Sequence, residues 1–143
     1  MQINMDYSYS RYSVRSSGPG SIVVAVPIRP DELTQEQMAE GIQQQEMTIE
    51  SSVIITPDQL ITDWAPQGPE QLESTHLEPL LAMEPEVVVL GTGAQTRFPN
   101  PAHTAPLLKR GIGVEVMDTA AACRTYNFLM SDGRDVVAAL MMI

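Results

Sequence analysis

The stretch VVVLGTGAQTRF, residues 87–98, decides the fold of this chain. It begins as an unbroken apolar, β-branched run, which is typical of a strand covered on both of its faces. The run stops at the tripeptide Gly91-Thr92-Gly93, and prolines at positions 99 and 101 delay the next periodic segment. We therefore predict a buried strand at 86–90 that leaves its sheet through a glycine-rich turn.

This turn, the GTG turn (residues 91–93), lies where ligands often bind, at the end of a strand in an α/β sheet. A dinucleotide fingerprint needs a third glycine opening into a helix, and a P-loop needs Gly-Lys followed by Ser or Thr. Here the next residues are Ala94, Gln95, Thr96 and Arg97, so both nucleotide motifs are excluded. The turn is either a structural strand exit or a loop that faces a ligand or partner.

Helix and strand patterns alternate after the GTG turn and predict the fold class. The elements are a helix from Asn100-Pro101 to Gly111, a strand at 113–117, a helix of about 120–130 capped by Asp118 or Thr119, and a strand at 136–143. This order predicts an α/β fold with three layers, in which a central mixed β-sheet is flanked by helices. The chain has no internal repeat or linker, so we predict a single domain over 1–143.

The patterns before residue 86 are weaker. They predict strands at 7–14, 21–28 and 51–56, a helical turn at 57–64, and a helix at 76–83 with Pro79 in its first turn. The connection SSGPG between the first two strands is longer than a two-residue hairpin turn, and we expect both strands to extend the main sheet antiparallel. Residues 30–50 contain six acids, five glutamines and no base. We interpret 29–50 as an acidic insertion, either a solvated helix capped by Asp31 or a mobile segment.

Charge excludes one class of partner. The net charge is -10, and nucleic-acid binding requires clustered lysine and arginine to neutralise phosphates. Residues 1–90 carry 14 acids and 3 bases, a balance of -11, whereas 91–143 carry 4 acids and 5 bases, a balance of +1. An anion site would therefore lie in the second part. No apolar run approaches the roughly 20 residues of a membrane span, so we expect no membrane insertion and a cytoplasmic location.

The helix predicted after Asp118 supplies the other candidate residues. At about 100° per residue, Cys123 and Tyr126 fall on its apolar arc, whereas Arg124 and Asn127 share the opposite side as i, i+3 neighbours. Arg124 and Asn127 either face solvent and nearby carbonyls or line a groove with the GTG turn. We predict a binding site that consists of Gly91, Thr92, Gly93, Arg97, Arg124 and Asn127.

Catalytic and metal chemistry find little support in the sequence. Cys123 is the only cysteine and lies on the apolar arc, so it is expected to be a buried, inert thiol. His76 and His103 are isolated, without the spacing of a metal site. Helix capping explains Asp118 without a role as general base. We therefore predict no cofactor, no metal and no catalytic residue.

Several motifs together resemble a known family. VVVLGTG, RFP, LLKRGIGVEVMDTAAACRTYNFLMSDGR and VVAALMMI occur in the order of the domain-of-unknown-function family that includes the mitochondrial complex I assembly factor 3 proteins. The resemblance implies a three-layer fold with a mixed sheet, no established enzymatic activity, and binding to other assembly proteins or nascent subunits. The first residues lack the character of a transit peptide, which favours a bacterial member.

The leading hypothesis is a non-enzymatic interaction protein that assists assembly of a respiratory or other membrane-associated complex. It binds protein partners and no nucleic acid, and weak self-association is compatible with it. The alternative is a binding protein or enzyme for a small anionic ligand held by Arg97, Arg124 and the amides of the GTG turn, at the N-terminus of the helix after Asp118.

Overall fold

The computed structural model describes residues 11–42 and 44–143, and in this part of the chain it contains eight strands and four α-helices. The N-terminal elements are β1 (Ser13–Gly18), β2 (Ser21–Pro27), α1 (Gln35–Ala39), β3 (Gln44–Ile49), β4 (Val53–Ile55) and β5 (Leu60–Ile61). The C-terminal elements are α2 (Ser74–Met83), β6 (Val87–Thr92), α3 (Pro101–Lys109), β7 (Gly113–Met117), α4 (Thr119–Ser131) and β8 (Val136–Met141).

A five-stranded mixed sheet forms the centre of the molecule, with the strand order β5-β4-β8-β6-β7. β8 pairs parallel with β6, and β6 pairs parallel with β7. β4 pairs antiparallel with both β8 and β5. The middle strand is β8, every residue of which is buried, and β6 lies inside the sheet between β8 and β7. The predicted central mixed sheet is confirmed.

Two apolar clusters place this sheet between two layers. On one face, the side chains of β6 and β8 pack against Trp64, Leu77 of α2 and Leu107 of α3. On the other face, they pack against α4 through Ala122, Cys123, Tyr126 and Met130. This arrangement confirms the α/β fold with three layers that the alternating pattern predicts.

The N-terminal strands do not extend the central sheet, which corrects the prediction. β1, β2 and β3 form a separate antiparallel sheet in that order, and its inward side chains share the apolar cluster of α4. The physical reason is that α4 has apolar residues that the central sheet alone does not cover; Val14, Ile22 and Val24 cover them. Residues 7–10 of the first predicted strand lie outside the described residues.

The hairpin between β1 and β2 is also tighter than predicted. Gly18 pairs with Ser21, so only Pro19 and Gly20 connect the strands. Gly20 has φ 71°, a left-handed conformation that glycine adopts without steric cost and that a Pro-Gly turn requires. The strands reach further into the SSGPG segment than its composition indicates.

The acidic segment 29–50 contains a short helix and a strand. Thr34, and not Asp31, caps α1, where the Thr34 hydroxyl accepts a hydrogen bond from the Gln37 backbone N–H at 3.0 Å. β3 pairs along its whole length with β2, and only Ile49 of its side chains is buried. The sequence does not predict this strand, because a polar edge strand lacks apolar alternation. The interpretation of 29–50 as an insertion stays a prediction.

Two local predictions between β4 and β6 are wrong. Residues 60–61 form strand β5 beside β4 and not part of a helical turn. Pro79 is the sixth residue of α2 and does not lie in its first turn, because the helix begins earlier, at Ser74. The His76 ring fixes this start, since its Nδ1 accepts a hydrogen bond from the Glu73 backbone N–H at 3.0 Å.

Candidate functional site

The predicted strand end at residue 90 is two residues too early, because Gly91 still pairs with β7 and β8 and Thr92 still pairs with β8. Of the GTG turn only Gly93 lies beyond β6, and the turn is placed between the first turn of α4 and the end of β8. Gly91 is buried, and a Cβ added to it would lie 3.0 Å from Thr119 Cα and 3.0 Å from Leu140 Cδ2. Gly93 has φ 97°, and a Cβ there would lie 2.6 Å from Ile143 Cγ1. Both glycines are therefore required by close packing of the turn against its neighbours.

Thr119, the first residue of α4, joins the turn to two other elements. Its Oγ1 accepts a hydrogen bond from the Gly93 backbone N–H at 2.8 Å and donates one to the Met141 carbonyl at 2.6 Å. Its backbone N–H donates to the Gly93 carbonyl at 2.8 Å. Asp118 is the N-cap of the helix, with its carboxylate accepting from Ala121 N–H at 2.8 Å. The sequence indicates Thr119 only as a possible cap, because nothing local to it shows that its hydroxyl bonds to Gly93 and Met141.

Thr92 uses its hydroxyl inside the turn. The Thr92 Oγ1 lies 2.6 Å from the Gln95 carbonyl oxygen, to which it donates, and accepts a hydrogen bond from the Arg97 backbone N–H at 3.0 Å. The side chain is fully buried. Gly91 and Thr92, two of the predicted site residues, therefore shape the turn and do not face solvent.

A cavity of about 300 Å³ opens beside Gly93. Four segments line it: the β1–β2 hairpin, the end of the GTG turn, the start of α4 and the end of β8. The lining residues are Ser17, Gly18, Pro19, Gly20, Gly93, Ala94, Asp118, Thr119, Ala120, Met141, Met142 and Ile143. Of the six predicted site residues, only Gly93 belongs to this set.

Asn127 fastens the N-terminal sheet to α4. Its Nδ2 donates to the Val14 carbonyl at 2.7 Å, and its Oδ1 accepts from the Val14 N–H at 2.9 Å. The neighbouring Tyr126 hydroxyl donates to the Tyr12 carbonyl at 2.7 Å. β1 is an edge strand, so one side of its backbone has no partner strand. The side chains of Asn127 and Tyr126 supply hydrogen-bond partners on that side.

We expect Asn127→Ala to lower the free energy of unfolding by about 2 kcal/mol, because the N–H and carbonyl of Val14 lose partners in a partly buried place. Urea denaturation measures the loss, and hydrogen exchange should show faster exchange in β1 than in β8. Arg124→Ala, one turn earlier on an exposed position, is the control and should change stability by less than about 0.5 kcal/mol. Equal losses of unfolding free energy in the two variants would contradict the role of Asn127 in holding β1 against α4.

The two arginines of the predicted site lie apart from the cavity lining. Arg97 forms an ion pair with Glu70, with Nη1 3.2 Å from Oε2, and lines a different depression together with Phe98 and His103. Arg124 is exposed on α4. The structure thus brings the GTG turn to a cavity but does not gather Arg97, Arg124 and Asn127 around it.

Cys123 is buried on the inner side of α4, with 3% of its surface exposed. Burial raises the pKa of its thiol to about 12, and the nearby positive charge of Arg124 offsets only part of this effect. The thiolate, which is the reactive form, is therefore disfavoured in the folded protein.

We expect a thiol reagent such as Ellman's reagent to label Cys123 only as fast as the protein unfolds. The raised pKa means that the native state holds this proton more tightly than the unfolded state. This contribution to stability is complete below pH 9.0 and is lost as the pH rises from 9.0 to about 12. Kinetics at increasing urea concentration measure the rate at which Cys123 is labelled. Fast labelling without urea would contradict the prediction that labelling requires unfolding.

Comparison with known proteins relates the whole arrangement to a family. A family model described as "Protein of unknown function (DUF498/DUF598)" matches residues 34–141. A Xanthomonas campestris protein solved by NMR is 32% identical with a TM-score of 0.72, and the match covers 99% of this chain and 92% of that one. The similarity extends over the whole fold described above.

Two curated relatives match over shorter stretches. The zebrafish (Danio rerio) "NADH dehydrogenase (ubiquinone) 1 alpha subcomplex assembly factor 3" is 52% identical over 62 residues, 43% of this chain and 36% of that protein. The "13 kDa major membrane protein" of Francisella tularensis is 36% identical over 62 residues, 43% of this chain and 50% of that protein. The match thus spans half or less of each relative's length.

Within 11–42 and 44–143, no three His, Cys, Asp or Glu side chains are grouped so that they could hold a metal ion. In the same described part of the chain, no helix has the length and apolar character that a membrane crossing requires.

Proposed function

The chain belongs to the family described as protein of unknown function (DUF498/DUF598), and from this premise we propose that it is a non-enzymatic protein-interaction module that assists assembly of a respiratory or other membrane-associated complex. The proposed binding surface combines the cavity at the GTG turn with an exposed stripe of α4. The stripe consists of Ala120, Arg124 and Phe128.

The exposed Phe128 is the observation that carries it. This side chain is 71% exposed on α4, where water contact with an aromatic ring has a free-energy cost. Phe128 follows Arg124 by four residues, so the two side chains are neighbours on the helix surface. Arginine and aromatic residues are enriched among the side chains that dominate binding energy at protein interfaces.

The stripe and the cavity form one continuous surface. Ala120 lines the cavity and precedes Arg124 by four residues, so it lies on the same side of α4. The distance from Ala120 to Phe128 along the helix is about 12 Å at 1.5 Å per residue. A partner that contacts Phe128 can therefore also reach the cavity.

The names of the relatives support the assembly role. The zebrafish relative is named as an assembly factor for NADH dehydrogenase, and the Francisella tularensis relative is named as a membrane protein. We extend the assembly role to this chain as part of the proposal. The proposed partners are therefore subunits or assembly proteins of a membrane-associated complex, and the predicted cytoplasmic location is compatible with contact at a membrane surface.

The anion-binding alternative has less support from the geometry. The only charged side chain among the described residues that line the cavity is Asp118, whose carboxylate repels an anion. Arg97 is already paired with Glu70. Arg124 remains available on the stripe, where we assign it to a carboxylate of the protein partner.

Photo-crosslinking in the natural host tests the proposal. A benzoylphenylalanine placed at position 128 or 124 is expected to give crosslinks to subunits or assembly intermediates of a respiratory complex, identified by mass spectrometry of the membrane fraction. Position 108 on α3 is the control, because Leu108 is also an exposed apolar side chain, at 57%. Identical products from positions 128 and 108 would reject the surface, and products outside any membrane-associated complex would reject the assembly role.

A further inference from the structure

We propose that the cavity beside the GTG turn binds a partner segment in which a large apolar side chain stands next to a lysine or arginine. This inference rests on the proposed function and names the chemistry of the partner. It follows from the size, the lining and the charge of the cavity, and from the position of the cavity at the end of the α4 stripe.

The size of the cavity fits a side chain better than a cofactor. Its volume of about 300 Å³ lies at the lower limit of small-molecule pockets, which range from roughly 300 to 1,000 Å³. The lining is mainly apolar, with Met142 and Ile143 on the side of β8, whereas the Met141 side chain is fully buried in the cluster of Trp64. The partly buried Met142 side chain can adapt to irregular apolar shapes, which suits a site that accepts a leucine-like or aromatic side chain.

The rim of the cavity is open to an approaching main chain. Ser17, Gly18, Pro19 and Gly20 form one wall, and a Cβ added to Gly18 would meet no atom within 4 Å. Glycines leave space in which another backbone can come close. An extended peptide can therefore lie across the hairpin while one of its side chains enters the cavity.

The charge of the cavity selects a cation. The carboxylate of Asp118 is the only charged side chain among the described lining residues. The N-terminus of α4 has about half a positive charge from the helix dipole, so the full negative charge of Asp118 exceeds it. Only one oxygen of Asp118 is needed for the bond to the Ala121 N–H. The net charge of -10 also attracts basic partners at long range.

The stripe favours a peptide over a free amphiphilic cation. A small amphiphile fills the cavity alone, whereas a peptide also extends the roughly 12 Å from Ala120 to Phe128. Along that path, Arg124 offers a charge of opposite sign to Asp118. The surface therefore has a negative end at the cavity, a positive group one turn on and an aromatic ring beyond it, which is a pattern suited to one ordered segment.

Panning a phage-displayed library of random heptapeptides against the full chain tests this inference. We expect the enriched sequences to place Lys or Arg beside Leu, Ile, Met or Phe. A synthetic peptide of the enriched sequence should shift the amide resonances of Gly93, Ala94 and Ala120 in ¹⁵N spectra. Two variants then test the cavity directly: Ala120→Leu occupies its mouth, and Asp118→Asn removes its charge while keeping a good N-cap.

We expect Ala120→Leu to weaken binding of the peptide by about tenfold or more, the effect of a misfitted apolar group in a pocket. Asp118→Asn should weaken it too and reduce its dependence on salt. Ala102→Leu is the matched control, because Ala102 is the second residue of α3 as Ala120 is the second residue of α4. It should leave the affinity unchanged.

Three results would overturn the inference. The first is that the selected peptides share no enriched pattern or an acidic one, and the second is unchanged affinity in both cavity variants. The third is binding of dodecyltrimethylammonium in the cavity without binding of any selected peptide.

The crosslinking experiment separates failure of this inference from failure of the proposed function. Crosslinks from position 128 that persist in Ala120→Leu and Asp118→Asn would keep the proposed function and reject the cavity as the docking site. If selected peptides bind the cavity but the host gives no crosslinks, the cavity remains a peptide-binding site and the proposed function is rejected.

Discussion

Replacing Gly93 with alanine is expected to lower the free energy of unfolding by about 3 kcal/mol, through a left-handed backbone and a steric clash together. Gly93 has φ 97°, and the added Cβ would lie 2.7 Å from the carbonyl oxygen of Ile143 and 2.6 Å from its Cγ1. The same oxygen accepts a hydrogen bond from the Ala94 N–H at 2.7 Å, so a shift of Ile143 that relieves the clash would also disturb this bond. Urea denaturation of the purified variant measures the loss.

Two other glycines separate the contributions. Gly133 has φ 78° but nothing within 4 Å of an added Cβ, so Gly133→Ala has the backbone cost alone, about 1 kcal/mol. Gly18 has neither the positive φ nor a close neighbour, and Gly18→Ala should be close to neutral. If Gly93→Ala lost no more stability than Gly133→Ala, the close packing of the turn against Ile143 would be wrong.

Thr119→Val is expected to have an effect of similar size, about 3 kcal/mol, because it leaves two buried backbone groups without partners. Valine has nearly the same shape as threonine, so the change removes the hydroxyl without opening a cavity. The Gly93 N–H and the Met141 carbonyl then lose bonds of 2.8 and 2.6 Å. The midpoint of urea unfolding should fall, and amide exchange of Gly93 should accelerate.

Thr104→Val is the matched control for the loss of a threonine hydroxyl. Thr104 and Thr119 are both 8% exposed and both lie in helices, but the Thr104 hydroxyl makes only a bond of 3.3 Å to the Pro101 carbonyl. Thr104→Val should lose about 1 kcal/mol or less. Thr119→Ser keeps the hydroxyl and should therefore keep most of the stability that Thr119→Val loses. A serine variant as unstable as the valine variant would show that the methyl group, and not the hydroxyl, matters.

The part of the fold after residue 86 could be predicted because its physical signals are local. Asn100 caps α3 and Asp118 caps α4, each through a side chain that accepts a bond from a nearby backbone N–H. β8 is apolar throughout and β6 is apolar as far as Leu90, as is typical of strands covered on both faces. Within these segments, neighbours in sequence determine the structure.

The N-terminal sheet could not be predicted because its position depends on distant partners. β3 has one buried side chain, Ile49, and its place is set by the ladder with β2. Nothing in the residues of β1 indicates that Asn127 will bond to Val14, which is 113 positions away. Sequence periodicity shows that a segment has an apolar side but does not show which surface that side will cover.

The candidate site divides in the same way. The glycines of the GTG turn mark a close approach of the backbone, which the sequence indicated, but their partner Thr119 is 26 positions from Gly93. The i, i+3 relation of Arg124 and Asn127 holds on the helix, yet a small angular difference places Asn127 against β1 and leaves Arg124 exposed. Whether a polar helix side faces solvent or another sheet depends on elements far away in the chain.

The hairpin that forms one wall of the cavity also bears on how this family diversifies. The family model matches residues 34–141, whereas the hairpin wall is residues 17–20. The floor of the cavity, formed by the GTG turn and the start of α4, lies inside the matched range. Because the wall is one short hairpin and the floor comes from separate parts of the chain, exchange of residues 17–20 between members of the family would change one wall of the cavity and leave its floor in place.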